Sequence, residues 1–568
     1  MTIIAIFGSA PLDVHVDSTV SHVAPPSLAG ANGNIWSNYF ELDNPLFIQA
    51  MQDLHITAYR FPGGTVANGY DTITGLMYPN LREPSWGIYN KRHPDGLTIL
   101  DYVQLTNTFE LPQQQYVINL LSTPNPDGSG DGVVTATIAQ YQEEVDRIQP
   151  FLQSMVKNGF NPAFIEYTNE IYLPMYNKLG FDKTVENYED RINTFSPMLR
   201  GLFPETPCAA VIPLSEKYRN KEGPDGDLGN LEYWEIDSTI DFQAIVLHAY
   251  VSGTYELKQY IEFDNNSLED VMTNWMVQTE LGLAAAMEYA QMMYPTKEVW
   301  MTEWGILISN IDGEVYEPIL RNCTLVGMQA ASMYIEMLKY STITLANHHG
   351  MVPMLNPIYD ENHVLLQFDR TTHGDIAAHM NGLLSRSPTV LATSISGAGE
   401  VVAPIVDPNG NGWGGFAASS ISDVLVDIDS ELHWLAINRE ALPQEVAIQV
   451  GEIGVTVGDI EVTRFYTTQL LEPPDPFAGT LDLFEPATID IIEADIVDGV
   501  VTLTIPAMGF VDVHILPIAG DVNGDGLINV SDILAIIAVW ECMGCPEDIS
   551  GNGVVDVADI LIVISNWG

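Results

Sequence analysis

The chain has 568 residues, 46% of them apolar and 17% charged, so it is globular and too long for a single hydrophobic core. Its 21 Lys and Arg face 75 Asp and Glu, a formal charge of −54. A surface this acidic repels phosphate backbones, which argues against nucleic acid as a partner, and no apolar run reaches the ~18 residues of a membrane span.

The N-terminus, MTIIAIFGSAPLDV, has a short apolar run without a basic start, so it does not read as a complete signal peptide. Residues 1–27 read as a strand and lead-in. From 28 to 358, strand-like runs alternate with helical stretches. Strands are expected at 33–36, 56–61, 115–122, 163–168, 207–213, 242–249, 298–303 and 342–347, and helices at 45–54, 136–158, 184–201, 267–293 and 322–340. In the last helix, Leu325, Met328, Ala331, Met333, Ile335 and Leu338 form an apolar stripe. Eight strands alternating with helices predict an α/β fold, a (β/α)₈ TIM barrel, with a doubly wound sheet as the alternative. From 359 to 518, runs such as DVLVDID, LHWLAINRE and VVTLTIPAMGFVDVHILPI lack helical periodicity and predict an antiparallel β-sandwich.

Residues 519–568 carry an internal repeat. DVNGDGLINVSDILAIIAVW (521–540) aligns without a gap on DISGNGVVDVADILIVISNW (548–567), 27 residues later. Loop positions 1, 3, 5, 9 and 12 are Asp521, Asn523, Asp525, Asn529 and Asp532 in the first copy, and Asp548, Ser550, Asn552, Asp556 and Asp559 in the second. Gly526 and Gly553 fall at position 6, where an EF-hand-like loop turns sharply. Oxygen donors at this spacing suit Ca²⁺ in two sites; the bland reading is a pair of Asp/Asn/Gly-rich turns. Each loop has a short helix after it, none before it, and Asp at position 12. In this the segment resembles type I dockerins, small α-helical calcium modules. The resemblance implies docking onto a cohesin-like partner on a scaffold or cell surface, hence an extracellular or cell-surface protein; the alternative is a calcium-stiffened tail. Cys542 and Cys545, with no second pair and no nearby His, suit a local disulfide better than zinc. Cys208 and Cys323 read as buried apolar residues.

Two expected strand ends carry glutamates: Asn169-Glu170 in AFIEYTNEIY and Glu303 in EVWMTEWG. They are 303 − 170 = 133 residues apart, about three β/α units, so strands four and seven would bring them face to face across the barrel mouth. Glycosidic hydrolysis needs such a pair: a carboxylic acid protonates the leaving oxygen and, in retaining enzymes, a carboxylate attacks the anomeric carbon. Glu166 either faces the helices or forms a structural ion pair.

Here the chain resembles clan A glycoside hydrolases, in which an Asn-Glu pair ends strand four and a Glu ends strand seven. More narrowly, RFPGGTVANGYD (60–71), LHAYV (247–251) and TEWG (302–305) resemble motifs of the α-L-arabinofuranosidases and the heparanase/β-glucuronidase group. The resemblance implies a retaining enzyme acting by double displacement on plant or algal polysaccharide or oligosaccharide, with no cofactor for catalysis. Glu170 would be the acid/base and Glu303 the nucleophile. Asn169 would bind the sugar 2-hydroxyl, Tyr250 would hold the nucleophile, and Arg60 would keep it ionised. His248 would sit near the acid/base, or else be a core histidine. Trp36 and Trp304 read as sugar-stacking platforms or as barrel packing, and His348-His349 as lining a subsite. Thr168 departs from the family, where Gly is usual. The rival reading is a non-catalytic carbohydrate-binding or scaffold protein on the same fold.

Overall fold

The computed structural model describes residues 11–567 except 34–40, 82–84, 110–112, 127–130, 174–175, 177–178, 183, 214–234, 264, 308–321, 352–353, 363, 407–412, 430, 451–456, 473–474, 518–519, 524–526, 544, 546 and 551. After strand β1 (Leu12–Val23) come β2 (Gly30–Asn32), β3 (Ala58–Phe61), β4 (Gln113–Ile118), β5 (Phe164–Tyr167), β6 (Cys208–Val211), β7 (Ala244–Ser252), β8 (Glu298–Leu307) and β9 (Ile343–His348). Strands β2 to β9 pair in parallel, in chain order, and β9 closes onto β2. Ring closure excludes the doubly wound alternative. The first barrel strand lies earlier than the expected 33–36. Gly-Ala-Asn lacks the β-branched signal of a strand because β9 passes so close: a Cβ on Gly30 would stand 2.1 Å from Asn347 Oδ1.

Barrel helices α1 (Pro45–Asp53), α2 (Ser85–Arg92), α3 (Ile99–Phe109), α4 (Ile138–Lys157), α5 (Val185–Leu202), α6 (Thr254–Ile261), α7 (Leu268–Met293), α8 (Thr324–Leu338) and α9 (Thr372–Leu384) surround the ring. Reciprocal caps start two of them: Thr137 with Gln140, and Ser267 with Asp270. Helix α8 is buried on every side rather than along a stripe, since α7, α9 and the C-terminal sheet all pack on it. Helix α9 falls within the stretch expected to be all strand.

Besides three two-stranded hairpins, further strands are β10 (Thr389–Ser396), β11 (Ile421–Ile428), β12 (Glu431–Asn438), β13 (Gln444–Ile448), β14 (Val457–Tyr466), β15 (Thr488–Glu493), β16 (Ile496–Val497), β17 (Val500–Ile505) and β18 (Phe510–Pro517). With β1 they form one ten-stranded sheet in the order β15-β14-β18-β12-β11-β10-β1-β13-β17-β16. The expected antiparallel sandwich is thus corrected to a single curled, mixed sheet. The N-terminal strand sits inside it, antiparallel to β10 and parallel to β13. Leu12, Val14 and Val16 alternate into the same core as Leu432, Val446, Val501 and Val513, which is why the strand is there. Arg439, fully buried, ties the sheet to the barrel by pairing Glu336 of α8 at 2.9 Å and Glu280 of α7.

At the C-terminus, helices α10 (Val530–Ala538) and α11 (Val557–Ser565) each follow a repeat loop and share a small core of Ile536, Val555 and Val563. A disulfide joins Cys542 to Cys545, and Cys208 and Cys323 are buried and in no disulfide. Among the described residues, no helix is long and apolar enough to cross a membrane.

Candidate active site

Strand alternation turns Arg60 of β3, Gln115 of β4 and Glu166 of β5 into the barrel, on adjacent strands. Arg60 is fully buried. Its Nε and Nη2 donate to the two oxygens of Glu166 at 2.7 and 2.6 Å, a bidentate pair, and Nη2 also donates to Asn169 Oδ1 at 2.9 Å. Its Nη1 donates to Glu303 Oε1 at 2.7 Å. Gln115 also donates to Glu166, and Thr302 Oγ1 lies 3.3 Å from it. Of the two readings of Glu166, the structure takes the ion pair, facing the barrel interior.

Glu303 sits on β8 where the ladder to β7 shifts register between Trp300 and Glu303, placing Glu303 opposite His248 and Gly305 opposite Tyr250. Such an irregularity re-aims side chains at a barrel rim. Besides Arg60, Glu303 accepts from Asn32 Nδ2 at 3.3 Å and from the Tyr250 hydroxyl. His248 Nδ1 and His349 Nε2 lie 3.6 and 3.7 Å from its Oε2. Burial alone would raise the Glu303 carboxyl; the nearby His248, His349 and Arg60, with the Tyr250 hydroxyl, outweigh it and bring the value down to about 2. Burial, and then the Glu303 and Glu170 carboxylates, push the Tyr250 phenol well above its usual value, so it remains a donor. For His248, burial opposes protonation, but the Glu303 and Glu170 carboxylates prevail and raise it. Tyr250→Phe is expected to move the acid limb of kcat/KM up by about 1–2 pH units, because a hydrogen bond to a charged group is worth about 1.5–3 kcal/mol. A pH–rate profile of the two proteins checks this.

Glu170 follows β5 through a tight backbone path: Thr168 has φ 66° and Glu170 φ 36°. A β-branched residue such as Thr168 is strained in the left-handed region. Asn68 offsets the strain. Its Oδ1 accepts from Thr168 Oγ1 at 2.7 Å and Asn169 N at 3.1 Å, and its Nδ2 donates to Asn169 O at 2.6 Å. Asn68 lies in a 3-10 turn (Gly64–Gly69) entered through Gly63 and Gly64, both at positive φ, which explains the paired glycines. Glu170 Oε1 lies 2.9 Å from His248 Nδ1. Carboxylate oxygens of Glu170 and Glu303 and a His248 nitrogen all fall within 4.8 Å of one another. Glu170 is the more open of the pair, its side chain 19% exposed against 4% for Glu303. Asn169 Nδ2 is buried beside them with no hydrogen-bond partner among the described residues.

The structure therefore gathers Arg60, Asn169, Glu170, His248, Tyr250 and Glu303 at one end of the barrel. It does not bring Trp304 or His348 to the opening. Trp304 is fully buried, packed edge to face on Tyr334 and His348, so it cannot stack on a sugar. His348 is 2% exposed, with Nδ1 2.8 Å from Gly350 O. Its neighbour His349, 36% exposed, is the residue that reaches Glu303. Trp36 lies outside the described residues. Asn32 and Asn68 are not marked as site residues by their sequence context, although Asn68 lies within the RFPGGTVANGYD run; His349 is read there, with His348, as lining a subsite.

In the terminal repeat, Asp525 is outside the described residues. In the second loop, Asp548 Oδ1 is 3.2 Å from Ser550 Oγ, and Asn552 Nδ2 is 3.4 Å from the Asp556 carboxylate. Asp559 accepts from the Ser550 and Asp556 amides at 2.8 and 2.7 Å. In the first loop, Asp532 accepts from the Val522, Asn523 and Asn529 amides in the same way. The convergent donors are hard oxygens, which fit Ca²⁺.

No protein-family model matches the sequence, and no curated protein matches it. Solved structures match its fold. A family 51 α-L-arabinofuranosidase from Bifidobacterium longum superposes with a TM-score of 0.61 at 15% identity, covering 89% of this chain and all of its own. The family 51 arabinofuranosidase from Xanthomonas axonopodis pv. citri gives 0.60 at 13%, with the same coverage. A family 44 xyloglucanase from Paenibacillus polymyxa gives 0.54 at 11%, covering 89% of this chain and 99% of its own. The fold shared with these structures is a TIM barrel carrying a β-sheet domain.

Proposed function

We propose that the chain is a retaining glycoside hydrolase acting on plant or algal polysaccharide or its side chains. The observation that carries this reading is the carboxylate pair ending strands four and seven, with oxygens within 4.8 Å across a histidine. That spacing suits attack by one carboxylate while the other delivers a proton, because inverting enzymes hold the carboxyl groups ~6.5–9.5 Å apart to admit a water. In this reading Glu303, ionised by its cations, attacks the anomeric carbon. Glu170, more exposed and in reach of His248, protonates the leaving oxygen and later activates water. Asn169 Nδ2 is free to bind a sugar hydroxyl. The complete pair favours catalysis over the non-catalytic alternative. Similarity to arabinofuranosidases and a xyloglucanase supports a plant-type polysaccharide as substrate. Sugar release from a panel of plant and algal polysaccharides and aryl glycosides, run beside Glu170→Gln, tests it. Release by the native protein that the variant lacks supports the reading; equal release by both, or none from any member, counts against it.

The C-terminal repeat is read as a dockerin-like module that binds two Ca²⁺ and tethers an exported enzyme to a cohesin-like partner. Its exposed apolar residues repeat at the same interval as its loops: Leu534 and Leu561 are each 57% exposed, Ile537 and Ile564 each 51%. Such a duplicated patch suits docking. Chelating Ca²⁺ should cost the module its helical signal, because the acidic loops then repel without a counter-ion, and should leave hydrolysis of a small soluble substrate intact. Circular dichroism of residues 520–568 within the full chain, by difference from a truncated protein, reads this out.

A further inference from the structure

One corner of the C-terminal sheet carries side chains that hydrolysis does not use. His433 of β12 lies directly opposite His514 of β18, and Glu461 of β14 lies opposite His514 on its other side. Glu431, two residues before His433, shares its face. A ring nitrogen from each histidine and a carboxylate oxygen of Glu431 fall within 4.8 Å of one another. His514 Nε2 stands 3.5 Å from Glu431 Oε2, and Arg386 Nη1 reaches the same oxygen at 3.4 Å.

Two further features point to a ligand. Among the described residues, the Nε2 atoms of His433 and His514 have no hydrogen-bond partner, and the His433 side chain is only 7% exposed. A nitrogen so placed rarely goes unpaired. The other His433 nitrogen, Nδ1, lies 3.0 Å from Asp512 Oδ2, a carboxylate oxygen that His379 Nε2 also contacts at 2.9 Å. A carboxylate on Nδ1–H fixes the tautomer and turns the Nε2 lone pair outward, the arrangement that orients metal-binding histidines.

We propose that Glu431, His433 and His514 bind one divalent transition-metal ion of the zinc type, with Glu461 or water completing the shell. Two imidazoles and a carboxylate suit such an ion and not calcium, so this site is chemically distinct from the C-terminal loops. Bonds of ~2.0–2.1 Å in tetrahedral geometry leave donors about 3.4 Å apart, close to the 3.5 Å between His514 Nε2 and Glu431 Oε2. The two rings stack with centroids 4.1 Å apart and 11° between planes, so sharing an ion tilts them, a rotation open to the part-exposed His514. The ion would clip the adjacent strands β12 and β18, and also β14 where Glu461 completes the shell, close to the point where β18 meets α9 through Asp512 and His379.

The test is titration of the full-length protein, stripped with chelator and resupplied with Ca²⁺, with Co²⁺ and then Zn²⁺. The expected result is one equivalent of Co²⁺ with the visible absorption of a tetrahedral site, displaced by Zn²⁺, and a Zn²⁺-dependent rise in Tm. His514→Ala and Glu431→Gln, both at part-exposed positions, should each weaken binding at least tenfold and abolish the Tm rise, whereas His248→Ala in the hydrolytic site should leave both unchanged. Absence of stoichiometric binding, or binding lost in His248→Ala but kept in His514→Ala, would overturn the proposal.

Discussion

Glu303→Gln should lower kcat on any cleaved substrate by on the order of 10⁴–10⁶, the scale seen when an enzyme loses its nucleophile. The amide is nearly isosteric and still accepts from Tyr250, so the fold should survive. Its NH₂ cannot attack an anomeric carbon, and it would point a donor at a cation. Glu170→Gln should fail differently. Without the acid, kcat falls by about 10²–10⁴ on substrates with poor leaving groups. On aryl glycosides with good leaving groups the glycosyl-enzyme still forms and accumulates, since only its hydrolysis needs the base. Added azide should then restore turnover in Glu170→Gln and not in Glu303→Gln. Steady-state kinetics on matched leaving groups separates the two residues. If both variants lost the same factor on every substrate, the division of roles would be wrong.

Arg60→Met should cost about 3–5 kcal/mol of stability, because removing one partner of a buried ion pair strands the other. Here two carboxylates are stranded, Glu166 at 0% and Glu303 at 4% side-chain exposure. Urea unfolding with unchanged m-value reads the loss. The pH dependence has a definite sign. The folded Glu303 carboxyl is depressed to about 2 from an ordinary value of 4.5, so the stability it contributes is present above pH 4.5 and is lost as pH falls from there toward 2. Arg60→Met should flatten that part of the curve, since part of the depression is the guanidinium's. His248 acts in the opposite sense: its raised value adds stability below pH 6.5 that is lost as pH climbs through the folded value. Arg60→Lys should not rescue the loss, because an ammonium cannot span both oxygens of Glu166 and still reach Glu303.

Much of this was legible from residues alone, and what was not has physical causes. The spacing of the expected strand ends put Glu170 and Glu303 across one barrel mouth, because barrel geometry leaves few arrangements for strand ends. The limit of such spacing shows at His348 and His349. Adjacent residues on a strand face opposite ways, so a one-residue ambiguity sends the wrong histidine into the core. Trp304 is the same case: beside Glu303 in sequence, it points away from it in space. Asn32 and Asn68 act by holding groups far off in the chain, 271 residues in the case of Asn32 and Glu303, and nothing local marks them. The N-terminal strand shows the same limit at the level of the fold. LDVHVDSTVSHV announces a strand, but its partners are more than 350 residues away, so its place between β10 and β13 cannot be read from it. The terminal repeat was the easiest feature to see, since its loops and helices are set by local spacing.

The measurement that tests the double-displacement account most directly is the anomeric configuration of the first-formed product, followed by proton NMR from the moment of mixing with a cleaved polysaccharide. Attack by Glu303 followed by water gives two inversions at one carbon, so the product should appear first in the configuration of the substrate and only then mutarotate. First appearance of the opposite anomer would mean that water attacks directly, and that Glu303 is not a nucleophile.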